Sequence, residues 1–269
     1  RGTGLLDTLI EQGYRYVFVS NSDNLGAVPD PRVAGWFAGS GAPFAIEAVR
    51  RTASDRKGGH FARRKADGRI VLRETAQTSP QDREALADLD RHRYCSTNNL
   101  WFDLEAMKAL LDERDGILGL PLIRNEKTVD PADPTSPKVV QIETAMGAAI
   151  EVFEGARLIE VGRDRFIPVK TTNDLLVLRS DVYEMGPDFA LNQVATDVPF
   201  IDLDGEHYKL VHEFDQRFPD GVPSLAEAAS LTVEGDWTFG QGVKVVGDVA
   251  LDSRGARRIG AGEVLRGDG

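Results

Sequence analysis

The pattern of apolar and polar residues at the start of the chain predicts a helix followed by a strand. Apolar residues recur at helical spacing over Leu5–Gln12, and Gly13 is placed to end this helix. Aromatic and β-branched residues then fill Tyr14–Val19, a composition typical of a buried strand, which we expect to pair in parallel. The apolar run stops abruptly at Asn21–Asn24, so we expect a polar loop at the end of the strand.

Alternating helices and strands continue to about residue 195 and predict an α/β fold. Asp67 and Gly68 give the strongest hairpin signal, and Asp103 is placed to cap a helix. Glu143 is interpreted as a favourable charge near a helix N-terminus. The predicted helices are residues 31–39, 80–92, 104–113, 141–153 and 173–183, and the predicted strands are residues 43–50, 61–65, 69–75, 94–102 and 157–161.

After about residue 195 the pattern changes and predicts a second domain. The segment LTVEGDWTF at residues 231–239 is echoed by VKVVGDVAL at residues 243–251, with apolar positions and a Gly-Asp corner recurring. A short period of this kind is typical of a parallel β-helix, and an ordinary hairpin meander is the alternative. We therefore expect domains at residues 1–195 and 196–269. The open ends of such a solenoid favour homo-oligomerisation or docking on the first domain.

Charge and composition narrow the classes of partner. The chain has 269 residues and a formal net charge of -11, which disfavours binding to nucleic acid or to a membrane surface because both are anionic. A local cluster of lysine and Mg²⁺ can still hold a nucleotide. Cys95 is the only cysteine, and the chain has no signal-peptide pattern and no apolar run of about 18 residues. A cytoplasmic protein is expected.

Asp23 is the first candidate for a metal ligand. It lies between Asn21 and Asn24 at the end of the predicted strand, where open α/β sheets place their ligand crevice. Proteins typically hold Mg²⁺ by one or two carboxylates together with substrate phosphates. The alternative is a turn in which the Asn and Asp side chains bind backbone groups.

Two further segments carry candidate binding groups. Gly58 and Gly59 allow a positive φ or a close approach of backbone to a ligand, and a flexible surface turn is the alternative. Ser96, Asn98 and Asn99 interrupt an apolar strand. They either satisfy nearby backbone groups or bind a polyhydroxylated ligand, because burying them without partners is costly.

A local basic cluster surrounds the segment FIPVKTT at residues 166–172. It consists of Arg163, Arg165 and Lys170, and simple solvation is the alternative for both arginines. Lys170 differs because it lies between an apolar Pro-Val pair and two threonines. A lysine in that position is suited to act as a point charge on phosphate.

Six sequence blocks resemble a known family. In chain order they are SNSDNLGA, KGGHF, ETAQ, STNNLWFD, VVQIETAMGAAIEVF and RFIPVKTTNDLLVLRSDVY. In order and spacing they resemble the eukaryote-type UTP-glucose-1-phosphate uridylyltransferases, also called UDP-glucose pyrophosphorylases. The resemblance covers nearly the whole chain. It implies a Rossmann-like, GT-A-like nucleotidyltransferase with a mixed sheet, followed by a C-terminal left-handed parallel β-helix.

The resemblance also implies a reaction and roles for residues. A uridylyl group would pass from UTP to glucose 1-phosphate with Mg²⁺, giving UDP-glucose and pyrophosphate, and the protein would position the substrates and neutralise charge. Asp23 would bind the metal, and Lys170 would offset the charge of the leaving pyrophosphate. Substrate contacts are implied for Asn21, Asp23, Gly58, Gly59, Glu74, Asn98, Asn99 and Lys170, with Glu74 and Asn98 on the glucose hydroxyls.

Three departures from the family pattern bear on these roles. Ser96 stands where the family usually has Asn, and Asp164 stands in a basic stretch where the family has Ser. The family's glycine-rich nucleotide-binding loop and first catalytic lysine would precede residue 1, so we expect the chain to be part of a longer protein. The alternatives are a UDP-N-acetylhexosamine pyrophosphorylase relative and a non-catalytic module that binds sugar nucleotides or forms oligomers.

Overall fold

Two compact units make up the chain in a computed structural model. The structure describes residues 2–52, 55, 58–75, 78–187 and 189–267. The first unit contains residues up to 22 together with residues 27–166. The second unit contains residues 23–26 together with residues from 167 onward. The domain boundary predicted at residue 195 stays a prediction.

A four-stranded mixed sheet forms the centre of the first unit, with the strand order β1-β5-β2-β8. Strand β5 pairs antiparallel with both β1 and β2, and β2 pairs in parallel with β8. All residues of β2 except the last are buried, because the strand has a neighbour on each side and apolar clusters on both faces. The bounds are β1 Tyr16–Val19, β2 Phe44–Arg50, β5 Tyr94–Asp103 and β8 Arg157–Glu160.

Strand β1 corrects the prediction of a buried parallel strand. It begins at Tyr16 and pairs with β5 alone, in the antiparallel direction. Tyr14 lies outside the strand, and both Tyr14 and Val19 are exposed. The aromatic and β-branched composition identified the strand correctly, but the pairing depends on long-range contacts that composition does not encode.

Two helices of the first unit, α2 (Pro31–Ser40) and α4 (Leu104–Glu113), begin at residues whose side chains cap them. In α2, Asp30 accepts a hydrogen bond from the Arg32 N–H, and Gly41 ends the helix with a φ of 64°. Asp103 caps α4 by accepting from two N–H groups of its first turn, as predicted. The predicted helix at residues 80–92 is shorter, with a 3₁₀ turn at residues 80–82 before α3. The bounds are α1 Leu5–Glu11, α2 Pro31–Ser40, α3 Arg83–Ala87 and α4 Leu104–Glu113.

Two hairpins lie outside the central sheet among the described residues of the first unit. The hairpin predicted around Asp67-Gly68 is confirmed as β3 His60–Arg63 and β4 Ile70–Arg73. The second joins β6 Leu122–Thr128 to β7 Lys138–Thr144 through a loop at residues 129–137.

The helix predicted at residues 141–153 is wrong. Its first part belongs to strand β7, where Glu143 accepts a hydrogen bond from Asn125 of β6 rather than lying at a helix N-terminus. Only Met146–Glu151 is helical, as a 3₁₀ segment. A Cβ at Gly147 would lie 2.7 Å from Leu72 Cδ2, so packing against β4 determines this segment rather than the helix propensity of its alanines.

Strand pairing in the second unit is largely parallel. One sheet has the order β11-β12-β14-β16, and a smaller sheet pairs β13 with β15. Leucine, valine and phenylalanine side chains from both sheets share one buried cluster. The strands are β9 Tyr183–Met185, β10 Leu191–Gln193, β11 Phe200–Leu203, β12 Ser224–Glu234, β13 Trp237–Phe239, β14 Lys244–Asp252, β15 Arg257–Ile259 and β16 Val264–Arg266, and the helices are α5 Thr172–Arg179, α6 Gly205–Tyr208 and α7 Val211–Arg217.

Register in these parallel sheets corrects the period predicted from sequence. Leu231 pairs with Val249, 18 residues further along the chain, and Lys244 pairs with Val264, 20 residues further along. The twelve-residue echo is therefore not the stacking distance. Helix α5 also ends at Arg179, and Tyr183, the predicted end of that helix, begins β9. Every described helix is too short or too polar to span a lipid bilayer.

Candidate functional site

Asn98 and Asn21 are brought together in the first unit although they are 77 residues apart. The Nδ2 of Asn98 donates to the Oδ1 of Asn21 at 2.7 Å. Asn98 has a φ of 58°, a conformation that Asn tolerates better than most residues, and its N–H donates to Ser96 Oγ at 3.0 Å. The pairing of β5 with β2 shifts register at this point, so the predicted polar run forms a β-bulge that redirects the side chain of Asn98.

A buried polar network lies beside the bulge and joins β2 and β5 to Arg165, which lies in a 3₁₀ segment. Arg165 donates to Glu47 through Nε and Nη2, both at 2.7 Å, and the Glu47 side chain is completely buried. Trp101 Nε1 donates to Glu47 Oε1 at 2.9 Å, and Asn99 Nδ2 donates to Glu47 Oε2 at 3.0 Å. Glu47 therefore binds three side chains and holds β2 and β5 in register across the bulge.

Sequence reasoning missed Glu47, and its only signal was a carboxylate within the apolar strand FAIEAVR. The basic cluster predicted near residue 165 also needs correction. Arg165 is buried against Glu47, and Arg163 donates to Asp55 Oδ2 at 2.7 Å, so neither arginine is simply solvated. Asn99 is fully buried, and its amide bonds within the fold.

Gly59 and Glu74 lie against each other in the first unit. A Cβ at Gly59 would lie 2.5 Å from Glu74 Oε2 and 3.0 Å from the Arg73 carbonyl oxygen, so a side chain at this position would displace Glu74 or shift the backbone. Gly58 is less constrained, with the Asp55 carbonyl oxygen 3.3 Å from the position of its Cβ. Lys57 of KGGHF, like the Ala-Gln pair of ETAQ, lies outside the described residues.

Asp23 belongs to the second unit, where the segment of residues 23–26 bonds to residues 167–169. The Val169 N–H donates to the Asp23 carbonyl oxygen at 2.9 Å, and the Ile167 N–H donates to Asn24 Oδ1 at 2.9 Å. The loop therefore agrees in part with the alternative prediction of a turn stabilised by Asn and Asp side chains. The side chain that binds backbone is that of Asn24 rather than that of Asp23. Among the described residues, the buried Oδ1 of Asp23 has no hydrogen-bond partner.

Lys170 follows directly on the segment that bonds to Asp23. Its N–H donates to Asp174 Oδ2 at 2.9 Å, and Thr171 with Asp174 forms the capping box of α5. The Lys170 side chain is exposed, and within the described ranges it forms no hydrogen bond or ion pair. The backbone of Asp23 is therefore bonded to the residue that directly precedes Lys170.

This arrangement does not form a metal site from protein ligands alone. Among the described residues there is no group of three or more His, Cys, Asp or Glu side chains that could hold a metal ion. A single carboxylate with a free oxygen fits Mg²⁺ that receives its remaining ligands from substrate phosphates and water. The chemistry of the donor set therefore suits a phosphate-bound magnesium ion.

Solved structures define the class of protein. The chain superposes on a Trypanosoma brucei UDP-glucose phosphorylase with a TM-score of 0.94 and 44% identity, covering 99% of this chain and 60% of that one. It superposes on a mutant Leishmania major UDP-glucose pyrophosphorylase in complex with UDP-glucose with a TM-score of 0.89 and 45% identity, covering 98% of this chain and 59% of that one. The fold is accordingly a mixed α/β fold of the nucleotidyltransferase type.

The family follows from sequence. The model of the UTP–glucose-1-phosphate uridylyltransferase family matches residues 1–246, and this chain belongs to that family. The Hordeum vulgare UTP–glucose-1-phosphate uridylyltransferase is 38% identical over 260 residues, which cover 96% of this chain and 53% of that protein. A probable Schizosaccharomyces pombe enzyme of the same name is 37% identical over 264 residues, covering 96% and 50%. The chain spans about half the length of these curated relatives.

Proposed function

We propose that the full-length protein carrying this sequence transfers the uridylyl group of UTP to glucose 1-phosphate. A phosphate oxygen of glucose 1-phosphate forms a bond to the α-phosphorus of UTP, and the bond from that phosphorus to the oxygen bridging it to the β-phosphorus breaks. The electron pair leaves with pyrophosphate, and UDP-glucose remains. Family membership and the UDP-glucose complex of the Leishmania relative support this assignment.

The single observation that carries the proposal is the buried Oδ1 of Asp23, which has no partner among the described residues. A carboxyl oxygen buried without a partner is costly unless a cation or donor arrives with the substrate. Asp23 would hold Mg²⁺, which supplies positive charge to the triphosphate when bound. Lys170 lies exposed and unpaired within the described ranges, so its ammonium can bind phosphate oxygens and offset the charge on the departing pyrophosphate.

The sugar is assigned to groups of the first unit. Asn98, held by Asn21, and Glu74, held against Gly59, supply donors and acceptors for glucose hydroxyls. The backbone at Gly58 and Gly59 would approach the sugar of glucose 1-phosphate. The buried amide of Asn99 acts indirectly, since it bonds to Glu47 and fixes the bulge that orients Asn98.

The remaining assignments concern the fold of the C-terminal region and the cellular compartment of the protein. Residues 196–269 would form a left-handed parallel β-helix domain, supported by the two parallel sheets and their offsets of 18 and 20 residues in the pairs Leu231–Val249 and Lys244–Val264. The β-helix would serve homo-oligomerisation. A cytoplasmic location would suit the single cysteine, Cys95, which is free and buried.

The test is an assay of the full-length protein with UTP, glucose 1-phosphate and Mg²⁺. UDP-glucose formation is expected, and Asp23→Asn should lower kcat/KM by about a hundredfold. Asp197→Asn, at an exposed position of the second unit, is the matched control and should leave the rate unchanged. No product from glucose 1-phosphate, together with turnover of an N-acetylated sugar 1-phosphate, would overturn the sugar assignment. Binding of UDP-glucose without turnover of either sugar phosphate would favour a non-catalytic module.

A further inference from the structure

Arg51 is a buried cation whose guanidinium donates to four backbone carbonyl oxygens. It lies directly after β2, with a relative exposure of 8%. Its Nη1 donates to the carbonyl oxygens of Leu86 at 3.0 Å and His92 at 3.1 Å. Its Nη2 donates to those of Asp55 at 3.1 Å and Gly58 at 3.5 Å. One guanidinium therefore joins the end of β2 to three other segments, none of which lies in the central sheet.

The chemistry of this contact requires arginine. The desolvation of a buried charge is costly and must be offset by several hydrogen bonds, which a planar fork with five N–H groups can make at once. Lysine carries the same charge on a single nitrogen and cannot span acceptors so far apart. The neighbouring Arg50 provides a contrast, because it is exposed and donates to Glu160 Oε1 at 3.0 Å.

The segment that carries the glycine pair is held from a second side. Asp55 Oδ2 accepts from the Thr52 N–H at 2.8 Å and from Arg163 Nη1 at 2.7 Å. The Gly58 N–H donates in turn to the Asp55 carbonyl oxygen at 2.9 Å. The Asp55 carbonyl oxygen thus accepts from both Arg51 and Gly58, so the guanidinium and the first glycine share one backbone acceptor.

We propose that Arg51 is a positioning residue for the Gly58–Gly59 backbone, and that it tunes affinity for the sugar phosphate without touching it. The proposal rests on the assignment of that backbone to the sugar phosphate. The buried guanidinium of Arg51 holds the backbone of the two glycines in place before the substrate binds. Binding therefore does not have to order that backbone, which would cost conformational entropy.

The experiment compares Arg51→Met, Arg51→Lys and the control Arg50→Met in the full-length protein. Arg51→Met should raise KM for glucose 1-phosphate about tenfold, because the backbone that Arg51 positions is assigned to that substrate. KM for UTP should stay within about twofold of wild type. Arg51→Lys should resemble Arg51→Met because charge alone is not sufficient. Amide hydrogen exchange at Gly58 and Gly59 should become faster in both Arg51 variants and stay at the wild-type rate in Arg50→Met.

The two readouts separate this proposal from the proposed function. If the wild-type protein makes no UDP-glucose, the function is wrong, whereas exchange at the two glycines still tests the anchoring. Unchanged exchange in a folded Arg51 variant overturns the positioning role, and so does faster exchange without a change in KM for glucose 1-phosphate. Failure of both Arg51 variants to fold overturns it as well, because Arg51 would then support the unit as a whole.

Discussion

Glu47 and Arg165 form a doubly bonded ion pair in the interior of the first unit, with both N–H···O distances at 2.7 Å. They are 118 residues apart in sequence. Arg165 also donates to the Val28 carbonyl oxygen at 2.8 Å and accepts from Asn99 Nδ2 at 3.4 Å. The pair therefore connects the bulge in β5, the adjacent strand β2 and the segment that follows the Asp23 loop in sequence.

Removing one partner of this pair should destabilise the protein strongly. Glu47→Gln leaves the guanidinium of Arg165 buried without its counter-charge, and we expect a loss of about 3–5 kcal/mol in the free energy of unfolding. Urea-induced unfolding of the full-length protein measures it. Glu126→Gln is the matched control, since Glu126 pairs with Arg124 at 2.8 Å on the surface and should cost at most about 1 kcal/mol. Equal losses in the two variants would contradict the prediction.

His60 gives stability a pH dependence with a defined sign. Burial, helped by the positive charges of His92, Arg73 and Arg51, lowers the pKa of His60 to about 3, and its ring stacks on that of His92 at a centroid distance of 3.9 Å. An unfolded histidine has a pKa of about 6.5, so below that pH the unfolded chain binds more protons and stability falls as the pH falls.

The expected loss from His60 is about 2 kcal/mol between about pH 6.5 and about pH 5. His60→Phe keeps an aromatic ring on His92 but cannot be protonated, so its stability should change less over this range. Urea midpoints measured across that interval test the difference. His212→Gln, at an exposed histidine of α7, should follow the wild-type curve. A His60→Phe curve parallel to that of wild type would show that His60 is not the group responsible.

The sequence patterns predicted elements whose signals are local. Strand β5 and the Asp103 cap of α4 were predicted because the strand pattern and the capping signal both depend on residues that are close in sequence. The helix predicted at residues 141–153 failed because pairing with β6 and packing against Leu72 override the propensity of its alanines. The period predicted from the twelve-residue echo was wrong for a related reason. The number of residues between paired strands depends on the turns between them, which the echo does not include.

The candidate site, like the fold, could be predicted from the sequence only in part. Asn21 and Asn98 were proposed from residue types and the family resemblance, and the structure brings them together. Glu47 and Arg51 were missed because their role lies in hydrogen bonds to partners distant in sequence, which no local pattern records.

Gly59→Ala should weaken binding of the sugar phosphate. The added Cβ would lie 2.5 Å from Glu74 Oε2 and 3.0 Å from the backbone oxygen of Arg73, so either the Gly59 backbone or the Glu74 side chain must move. We expect KM for glucose 1-phosphate to rise about tenfold, since displacement of about 1 Å from a binding geometry is costly. Gly39→Ala is the control, because a Cβ at that position in α2 meets nothing within 4 Å, and it should leave KM unchanged. A Gly59→Ala enzyme with wild-type KM would argue against this assignment of the sugar site.

Lys170→Met should lower kcat with little effect on stability. The Lys170 side chain is exposed and unpaired within the described ranges, so its removal leaves no buried group without a partner. If its ammonium offsets charge on the departing pyrophosphate, kcat should fall about a hundredfold or more, while the urea midpoint stays within error of wild type. Lys209→Met removes an equivalent exposed charge from the same unit and should retain the wild-type rate. A Lys170→Met enzyme that raises KM for UTP but keeps its kcat would assign the lysine to ground-state binding, because only contacts that strengthen in the transition state raise kcat.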